Sequence, residues 1–370
     1  MQCVTPMFRL YDISTKDTIR IVSRAEVMQG LELDSNNITY QLQKMNAKYL
    51  SQNRLIQTIP CGKCWACQLN YSAEWATRNM LETLDHEECY FVTLTYDDEH
   101  LFIPETMTYR EEYPDGTYDI REIENDGTWI SGSLYPEHVT KFLKDLRRWQ
   151  DYHLGVKGIR FFYCGEYGEQ TQRPHYHMLL YGAHLDPEEN YSYHIDKNFK
   201  EHWKNKLLDE LWEYGMHDIA LVEWSSAAYV SRYCTKKLNM ESNSAKWYAE
   251  NGKMQEMIRM SRMPGIGMKY YQSHKLDIYE NDSMVMKTVK GNTGNFKPPK
   301  SFDKLFKEEY PNEFKKIEKR RRECAERARR NEKYLSNYSD YEKLVMKGEK
   351  VAQKISMLPR NGGEQSESWN

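Results

Sequence analysis

The chain lacks the features of several broad classes of protein. None of its apolar runs approaches about 18 residues, so we expect no transmembrane helix. Its N-terminal segment, MQCVTPMFRL, lacks the apolar core of a signal peptide. No internal repeat and no G-x-x-x-x-G-K-[ST] motif is present, so we expect no P-loop helicase module. Basic residues are not in excess, since 52 Lys and Arg face 55 Asp and Glu, which excludes a globally basic coat protein for nucleic acid.

Cysteine is scarce and tyrosine is abundant. The chain has 8 Cys in 370 residues, three of them at Cys61, Cys64 and Cys67, and 28 Tyr. Without a secretion signal, we interpret the cysteines as reduced thiols or metal ligands and expect a cytoplasmic protein. Tyrosine combines a flat apolar face with a polar tip, which suits a wet, ligand-contacting surface. The length predicts two or three domains.

The central part of the chain predicts an α+β fold. Segments rich in β-branched and aromatic residues predict strands at 89–96, 159–164, 175–181 and 217–224. Helical spacing of apolar residues predicts helices at 68–88, after Pro136, over Phe199–Trp212 and after Ser225 or Ser226. The order β-α-β-β-α-β-α is that of a ferredoxin-like or RRM-like antiparallel sheet with helices on one face, which leaves the other face free for a ligand.

Composition divides the chain into five segments. Residues 1–88 contain the cysteine cluster and a helix, and residues 89–280 contain the α+β domain with an acidic hairpin insertion at 102–134. We expect a linker at 281–300, a charged, mostly helical tail at 301–358 and disorder at 359–370. Residues 315–333 of the tail are strongly basic, which fits contact with the DNA backbone or an ordinary solvated helix face equally well.

A histidine pair carries the first candidate site. In RPHYHMLL, His175 and His177 alternate along a predicted strand, so both imidazoles lie on one face of it. Two imidazoles and a carboxylate from the preceding strand can bind one divalent cation and leave positions open for a substrate oxygen. Glu166 and Glu169 are the candidates, and we favour Glu166 because the turn begins after it. For H-x-H alone, two solvent-facing histidines on an edge strand are the commoner outcome.

A tyrosine pair carries the second candidate site. Tyr229 and Tyr233 are four residues apart in a predicted helix, so their phenols share one face. Arg232 and Lys236 flank them and could hold a phosphate. A phenolate can attack a phosphodiester when a metal polarises the phosphoryl oxygen. For the spacing alone, core packing or a stacking surface is the favoured explanation.

Together, these patterns resemble the HUH endonucleases. FVTLTYDDEHL (residues 91–101) resembles the first motif of rolling-circle replication initiators, RPHYHMLL the second, and AAYVSRYCTKK the tyrosine motif, in the order of that family. Three further segments resemble the replication initiators of gokushoviruses, small single-stranded DNA phages of the microvirus group. These are PCGKCWACQLNYSAEWATRN (60–79), CGEYGEQ (164–170) and SRMPGIGMKYY (261–271). The resemblance covers most of residues 1–340, although the insertion at 102–134 is longer than we expect.

The resemblance implies an enzyme and assigns roles to these residues. Such a protein nicks single-stranded DNA at the phage origin, becomes joined to the 5′ phosphate through a tyrosine, frees a 3′-OH primer and later rejoins strands to release circles. By motif, His175, His177 and Glu166 would bind Mg²⁺ or Mn²⁺, and Tyr229 and Tyr233 would be the nucleophiles. Lys236 and Lys237 would contact the DNA or orient the phosphate. Host DNA polymerase and a host helicase are the implied partners, in the host bacterial cytoplasm.

The resemblance also extends to Cys3. With Cys61, Cys64 and Cys67 it offers four thiolates that could hold a structural Zn²⁺. The C-x2-C-x2-C spacing is not a standard zinc signature and is compatible with an iron–sulfur cluster as well. We hold a bound metal and simple reduced cysteines as equal alternatives.

Two rival functions come from other classes of protein. A ferredoxin-like binding module could stack exposed aromatics on single-stranded nucleic acid without cutting it, which explains the sheet and the tyrosines. It does not explain the His pair with Glu166 or the Tyr pair. A structural zinc protein that scaffolds other proteins explains only the cysteine cluster.

Overall fold

The computed structural model describes residues 3, 7–12, 14–15, 18–22, 54–62, 64–113, 115–168, 170–196, 199–236, 242–287, 293–334, 346 and 349–350. The chain divides into two compact units. One comprises residues 1–71 and 312–360, and the other comprises residues 72–311 and 361–370. No helix within the described ranges is long and apolar enough to cross a membrane.

The first unit contains a small sheet. Strands β1 (Met7–Asp12), β2 (Thr18–Val22) and β3 (Arg54–Ile59) pair antiparallel in the order β2-β1-β3. Helix α1 (Trp65–Thr83) begins in this unit, and helix α8 (Pro311–Tyr334) supplies most of its described C-terminal part.

The second unit is built on a seven-stranded sheet in which every neighbouring pair is antiparallel. Its order is β12-β7-β8-β4-β11-β10-β9. The strands are β4 (Cys89–Tyr96), β7 (Arg160–Tyr167), β8 (Pro174–Tyr181), β9 (Asn190–Ile195), β10 (Glu201–Asn205), β11 (Gly215–Leu221) and β12 (Met257–Met260). The α+β class and the four predicted strands are therefore confirmed. The ferredoxin-like topology stays a prediction.

Helices cover both faces of this sheet. One face packs apolar side chains against α2 (Pro136–Leu154) and α3 (Lys206–Leu211), with Phe142 and Leu208 fully buried. The other face packs against α1 and α4 (Trp224–Lys236), where Trp75 meets Phe162 at a ring-centroid distance of 5.4 Å. The prediction that helices lie on one face only is wrong, because both sets of alternating strand residues include enough apolar side chains to bury a helix.

Helix α2 shows how local sequence sets an element. Pro136 occupies its first turn, where a missing N–H costs nothing, and Gly155 ends it in the left-handed region at φ 65°. The stripe predicted from helical spacing is buried, namely Val139, Phe142, Leu143 and Leu146. The helix start and its buried face are thus confirmed.

Residues 199–212 differ from the prediction. A single amphipathic helix was expected there, but Glu201–Asn205 is strand β10 and only Lys206–Leu211 is helical. Trp203 pairs with Ile219 of β11, and the Asn205 side chain accepts a hydrogen bond from the N–H of Leu207 as the cap of α3. The apolar residues at helical spacing thus serve two elements, because sheet pairing overrides the local pattern.

The remaining elements lie outside the central sheet. The insertion contains the predicted hairpin of β5 (Thr106–Glu112) and β6 (Tyr118–Glu124). The expected linker at 281–300 contains a second hairpin, β13 (Met284–Lys287) with β14 (Thr293–Phe296). Helices α5 (Ser242–Glu250) and α6 (Met268–Asn281) precede it, and a short 3-10 helix spans Pro187–Glu189. The tail is helical in α7 (Lys300–Glu309) and α8, as predicted, whereas residues 359–370 lie outside the described part of the chain.

Candidate metal and tyrosine site

The β7–β8 hairpin sets the first half of the site. Its register pairs Glu166 with His175 and Cys164 with His177. Directly opposed residues of an antiparallel pair project to the same face, so the carboxylate and both imidazoles share the face covered by α1 and α4. The hairpin therefore brings together the three residues chosen from the sequence. Glu169, the alternative carboxylate, lies outside the described residues.

Glu166 is the centre of this group. Its Oε1 lies 3.2 Å from Nε2 of His175 and 2.8 Å from Nε2 of His177. Glu166 is 4% exposed and His177 is 1% exposed. Burial works against the charged carboxylate, but hydrogen bonds from His175 and His177 outweigh it and hold the pKa of Glu166 well below its usual range.

The two imidazoles are oriented by further contacts. His177 Nδ1 lies 3.1 Å from Oγ1 of Thr93, and its ring stacks on Phe91 with a centroid distance of 5.7 Å. His175 Nδ1 lies 3.1 Å from the carbonyl oxygen of Arg173. These contacts occupy Nδ1 of both rings, so both Nε2 atoms are directed at Glu166. Burial lowers the pKa of His177, with Glu166 opposing the shift.

Thr93 and Phe91 were not singled out as individual residues by the sequence. Both lie in the FVTLTYDDEHL segment and pack around His177, because β4 pairs Thr93 with His177. The alternation of Phe91 and Thr93 along a strand was the signal that could have identified them, since strand residues two apart share a face.

Tyr229 brings a hydroxyl to the same carboxylate oxygen. It lies on α4 and its Oη donates to Oε1 of Glu166 at 2.7 Å, with Nε2 of His177 at 3.4 Å. Its ring is 7% exposed and meets the His177 ring edge-on at a centroid distance of 5.0 Å. Burial, together with the charge of Glu166, raises the pKa of the Tyr229 phenol far above its ordinary value. The Arg232 guanidinium lies 5.3 Å from the Tyr229 ring centroid.

The other residues of the tyrosine motif are described only in part. Tyr233 and Lys236 lie in α4, one turn and two turns beyond Tyr229, and nothing is described of their side chains. Lys237 lies outside the described residues. The structure therefore places one of the two predicted nucleophiles beside the predicted metal ligands.

The donor set fits a divalent cation. Glu166, His175 and His177 each offer one ligand atom, and these atoms lie within 4.8 Å of one another. Donors at right angles around an ion, with bonds of about 2.1 Å, are about 3 Å apart, close to the two Glu166–His distances. Two imidazoles and one carboxylate leave further coordination positions open.

Comparison with known proteins identifies the family. The family model of the phage replication-associated protein ORF2 matches residues 89–238, which include Glu166, both histidines and α4. The chain is similar to replication-associated protein ORF2 of Spiroplasma virus 4, with 34% identity over 302 residues, or 80% of this chain and 82% of that protein.

Two further relatives come from other phages. Replication-associated protein VP4 of Bdellovibrio phage phiMH2K is 24% identical over 80% of this chain and 84% of its own length. Replication-associated protein ORF4 of Chlamydia phage 1 is 30% identical over 48% of this chain and 38% of its own length. No solved structure is significantly similar to the chain.

The chain belongs to the family of phage replication-associated proteins. The relatives are all of the microvirus type, which confirms the family recognised in the sequence.

This replication-associated protein has a second group of potential ligands in its first unit. Sγ of Cys3 lies 3.5 Å from that of Cys61 and 3.6 Å from that of Cys64, and the Cys61 and Cys67 sulfurs are 4.0 Å apart. Four sulfurs around a tetrahedral Zn²⁺ with bonds of about 2.3 Å are about 3.8 Å apart, so the spacing fits zinc. Burial raises the pKa values of Cys3 and Cys67. The structure thus brings all four predicted cysteines together.

Proposed function

We propose that this replication-associated protein initiates rolling-circle replication by nicking and rejoining single-stranded DNA at the phage origin. The family supports a role in phage replication, and the site supports chemistry of the HUH type. In this proposal a tyrosine becomes joined to the 5′ phosphate and the freed 3′-OH primes synthesis. Attack by a second tyrosine then helps to release a unit-length circle.

One observation carries the proposal. The Tyr229 hydroxyl lies 2.7 Å from the Glu166 oxygen and 3.4 Å from the His177 nitrogen, among groups that can bind a cation. A nucleophile must stand within hydrogen-bonding reach of the groups that activate its target. A buried phenol beside a metal-binding carboxylate has no comparable role in a protein that only binds DNA.

The cleavage step follows from this arrangement. Tyr229 or Tyr233 loses its phenolic proton and attacks the phosphorus, forming the bond between tyrosine and phosphate. The bond from phosphorus to the 3′ oxygen breaks, and that oxygen takes up a proton to become the 3′-OH. Rejoining is the reverse, with a 3′-OH as the attacking group and the phenol as the leaving group.

His175, His177 and Glu166 are proposed to hold Mg²⁺ or Mn²⁺. The bound cation would offset the charge of Glu166 and polarise the phosphate under attack. Imidazole nitrogens favour a transition metal in affinity, whereas Mg²⁺ is far more abundant. We expect activity with both ions and tighter binding of Mn²⁺.

The remaining assignments belong to the same proposal. Lys236 and Lys237 would contact the DNA backbone or orient the phosphate near the tyrosines. The primer made by the nick would be extended by host DNA polymerase, and the duplex would be opened by a host helicase. These steps place the protein in the cytoplasm of the host bacterium.

The non-catalytic binding module is less well supported. That alternative needed an open sheet face with exposed aromatics for base stacking. In the described part of the chain, both faces of the seven-stranded sheet pack against helices. The aromatics Phe91 and Tyr181 are buried on the face that carries the His pair.

A denaturing-gel assay tests the proposal. Protein, Mn²⁺ and a labelled single-stranded oligonucleotide from the origin of the encoding phage genome would be incubated together. We expect a covalent protein–DNA adduct that persists in at least one of Tyr229→Phe and Tyr233→Phe and is lost in the double variant. The variant His175→Ala/His177→Ala should form none, because the phosphate is no longer polarised.

Tyr152→Phe is the matched control, because Tyr152 is 83% exposed and distant in sequence from the motif. It should form the adduct at the wild-type level. Tight DNA binding with no cleavage and no adduct in any metal would refute the enzyme and restore the binding-module hypothesis.

A further inference from the structure

A second cluster of ligand-type side chains lies on the strands at one edge of the large sheet. His194 is on β9, His202 on β10 and Asp218 on β11, so three neighbouring strands each supply one residue. The backbone register pairs His202 with His194. None of these residues belongs to a motif singled out in the sequence, because they are spread over 25 residues and three elements.

The three side chains converge closely. Oδ2 of Asp218 lies 2.5 Å from Nδ1 of His202, and Oδ1 of Asp218 lies 3.8 Å from Nε2 of His194. The two imidazole rings stack with a centroid distance of 5.2 Å. Asp196 adds a second carboxylate, with Oδ2 at 3.9 Å from Nε2 of His202.

We propose that His194, His202 and Asp218 form a second divalent-cation site. One ligand atom from each residue lies within 4.8 Å of the others, and the donor set of two imidazoles and one carboxylate equals that of the Glu166 group. The side chains of His194 and Asp218 are 33% and 30% exposed, so an ion and its remaining water ligands have access. Lys200, a neighbouring cation, is engaged by Ser225 and Glu223 at the start of α4.

The site is distinct from the Glu166 group but lies on the same face of the sheet. Thr93 of β4 pairs with His177 on one side and with Asp218 on the other. Two strand spacings separate the Cα atoms of His177 and Asp218 by roughly 10 Å, which is too far for one shared ion. A cation there would tie β9, β10 and β11 together at the sheet edge and add positive charge beside the proposed DNA path.

Manganese binding counted by electron paramagnetic resonance tests this inference. Mn²⁺ is the probe because thiolate clusters such as the Cys3 group prefer softer ions. We expect two Mn²⁺ per wild-type chain and one in His194→Ala/His202→Ala. His175→Ala/His177→Ala should also bind one, and a variant with all four substitutions should bind none. Mn²⁺ should raise the melting temperature of His175→Ala/His177→Ala, because an ion that binds only the folded chain stabilises it.

Asp218→Asn keeps the size and hydrogen bonding of the side chain and guards against misfolding of the double variant. It should weaken the second Mn²⁺ at least 10-fold while the first remains, in the range measured when groups at metal sites are altered. A wild-type stoichiometry in both Asp218→Asn and His194→Ala/His202→Ala would leave only an ordinary His–Asp pair and overturn the proposal. Since the count requires no DNA cleavage, its outcome is independent of the nicking reaction.

Discussion

At Glu166, one carboxylate oxygen lies within hydrogen-bonding reach of two imidazoles and a phenol. The sequence predicted the first two contacts, because a hairpin places a residue before the turn opposite one after it. It could not predict the approach of Tyr229, since the distance between a helix and a sheet depends on packing of residues far apart in the chain. The spacing of Tyr229 and Tyr233 alone even favoured core packing, and Tyr229 is indeed buried.

Replacing Glu166 with Gln tests the carboxylate as a ligand. Glu166→Gln keeps a hydrogen-bond acceptor for Tyr229 but removes the charge, so we expect roughly 10- to 100-fold weaker Mn²⁺ binding by calorimetry. The matched control is Glu88→Gln, because Glu88 also contacts a histidine, His184, at 3.1 Å. Equal affinity in Glu166→Gln and the wild type would remove Glu166 from the ligand set.

Glu82 predicts a pH dependence of stability. It is 2% exposed, accepts from the N–H of Gly267 at 2.5 Å and pairs with Arg160 and His86. Burial opposes its charge, but the hydrogen bonds from His86, Gly267 and Arg160 prevail and lower its pKa below 4.5. Its contribution to the free energy of unfolding is therefore complete above pH 4.5 and is lost as the pH falls through the lower pKa of the folded state.

We expect Glu82→Gln to lower the free energy of unfolding by about 3 kcal/mol at pH 7, because Arg160 then loses a buried partner. Urea denaturation at several pH values measures this difference. The gap between wild type and variant should narrow below about pH 4.5. A gap that stays constant down to about pH 3 would show that Glu82 does not titrate in this way.

At the scale of elements, the prediction succeeded where one local signal dominated. Strand β4 was predicted with its observed bounds, Cys89–Tyr96, because β-branched and aromatic residues run through it without interruption. Residues 199–212 failed because Trp203 serves sheet pairing while Leu207 and Leu208 serve a short helix. The coverage of both sheet faces was also missed, since strands buried on both sides show no polar alternation.

Trp129 is expected to anchor the insertion. It donates from Nε1 to the carbonyl oxygen of Glu250 at 3.0 Å, and its ring occupies the space that a Cβ on Gly252 would need, only 2.3 Å from that position. Trp129→Ala should cost about 3 kcal/mol of local stability and increase protease cleavage within residues 102–134. Ile130→Ala is the control, because Ile130 is 76% exposed. Identical cleavage rates in the two variants would contradict an anchoring role.

At the scale of the whole molecule, the chain forms two units with different means of stabilisation. The second unit buries two apolar layers against a seven-stranded sheet. The described part of the first unit has a three-stranded sheet and four clustered cysteines. The sequence indicated the cysteine cluster but not this division, because a unit that joins residues 1–71 to residues 312–360 has no local signature.

Metal analysis of the purified protein tests the cysteine cluster. We expect one Zn²⁺ per chain, lost in Cys61→Ser/Cys64→Ser/Cys67→Ser, because thiolates at these spacings satisfy tetrahedral coordination. Cys324→Ser is the matched control, because Cys324 is exposed on α8. Wild-type protein purified without any metal would leave simple reduced cysteines as the explanation.

The pairing of Glu166 with His175, and of His177 with Thr93, also limits how the gene can vary in length. Side chains alternate between faces along a strand, so inserting or deleting one codon within β7 or β8 would turn part of the ligand set to the opposite face. The turn between these strands carries no such restriction. Natural relatives should therefore differ in length at this turn and hardly ever between Glu166 and the end of β7, or between His175 and His177.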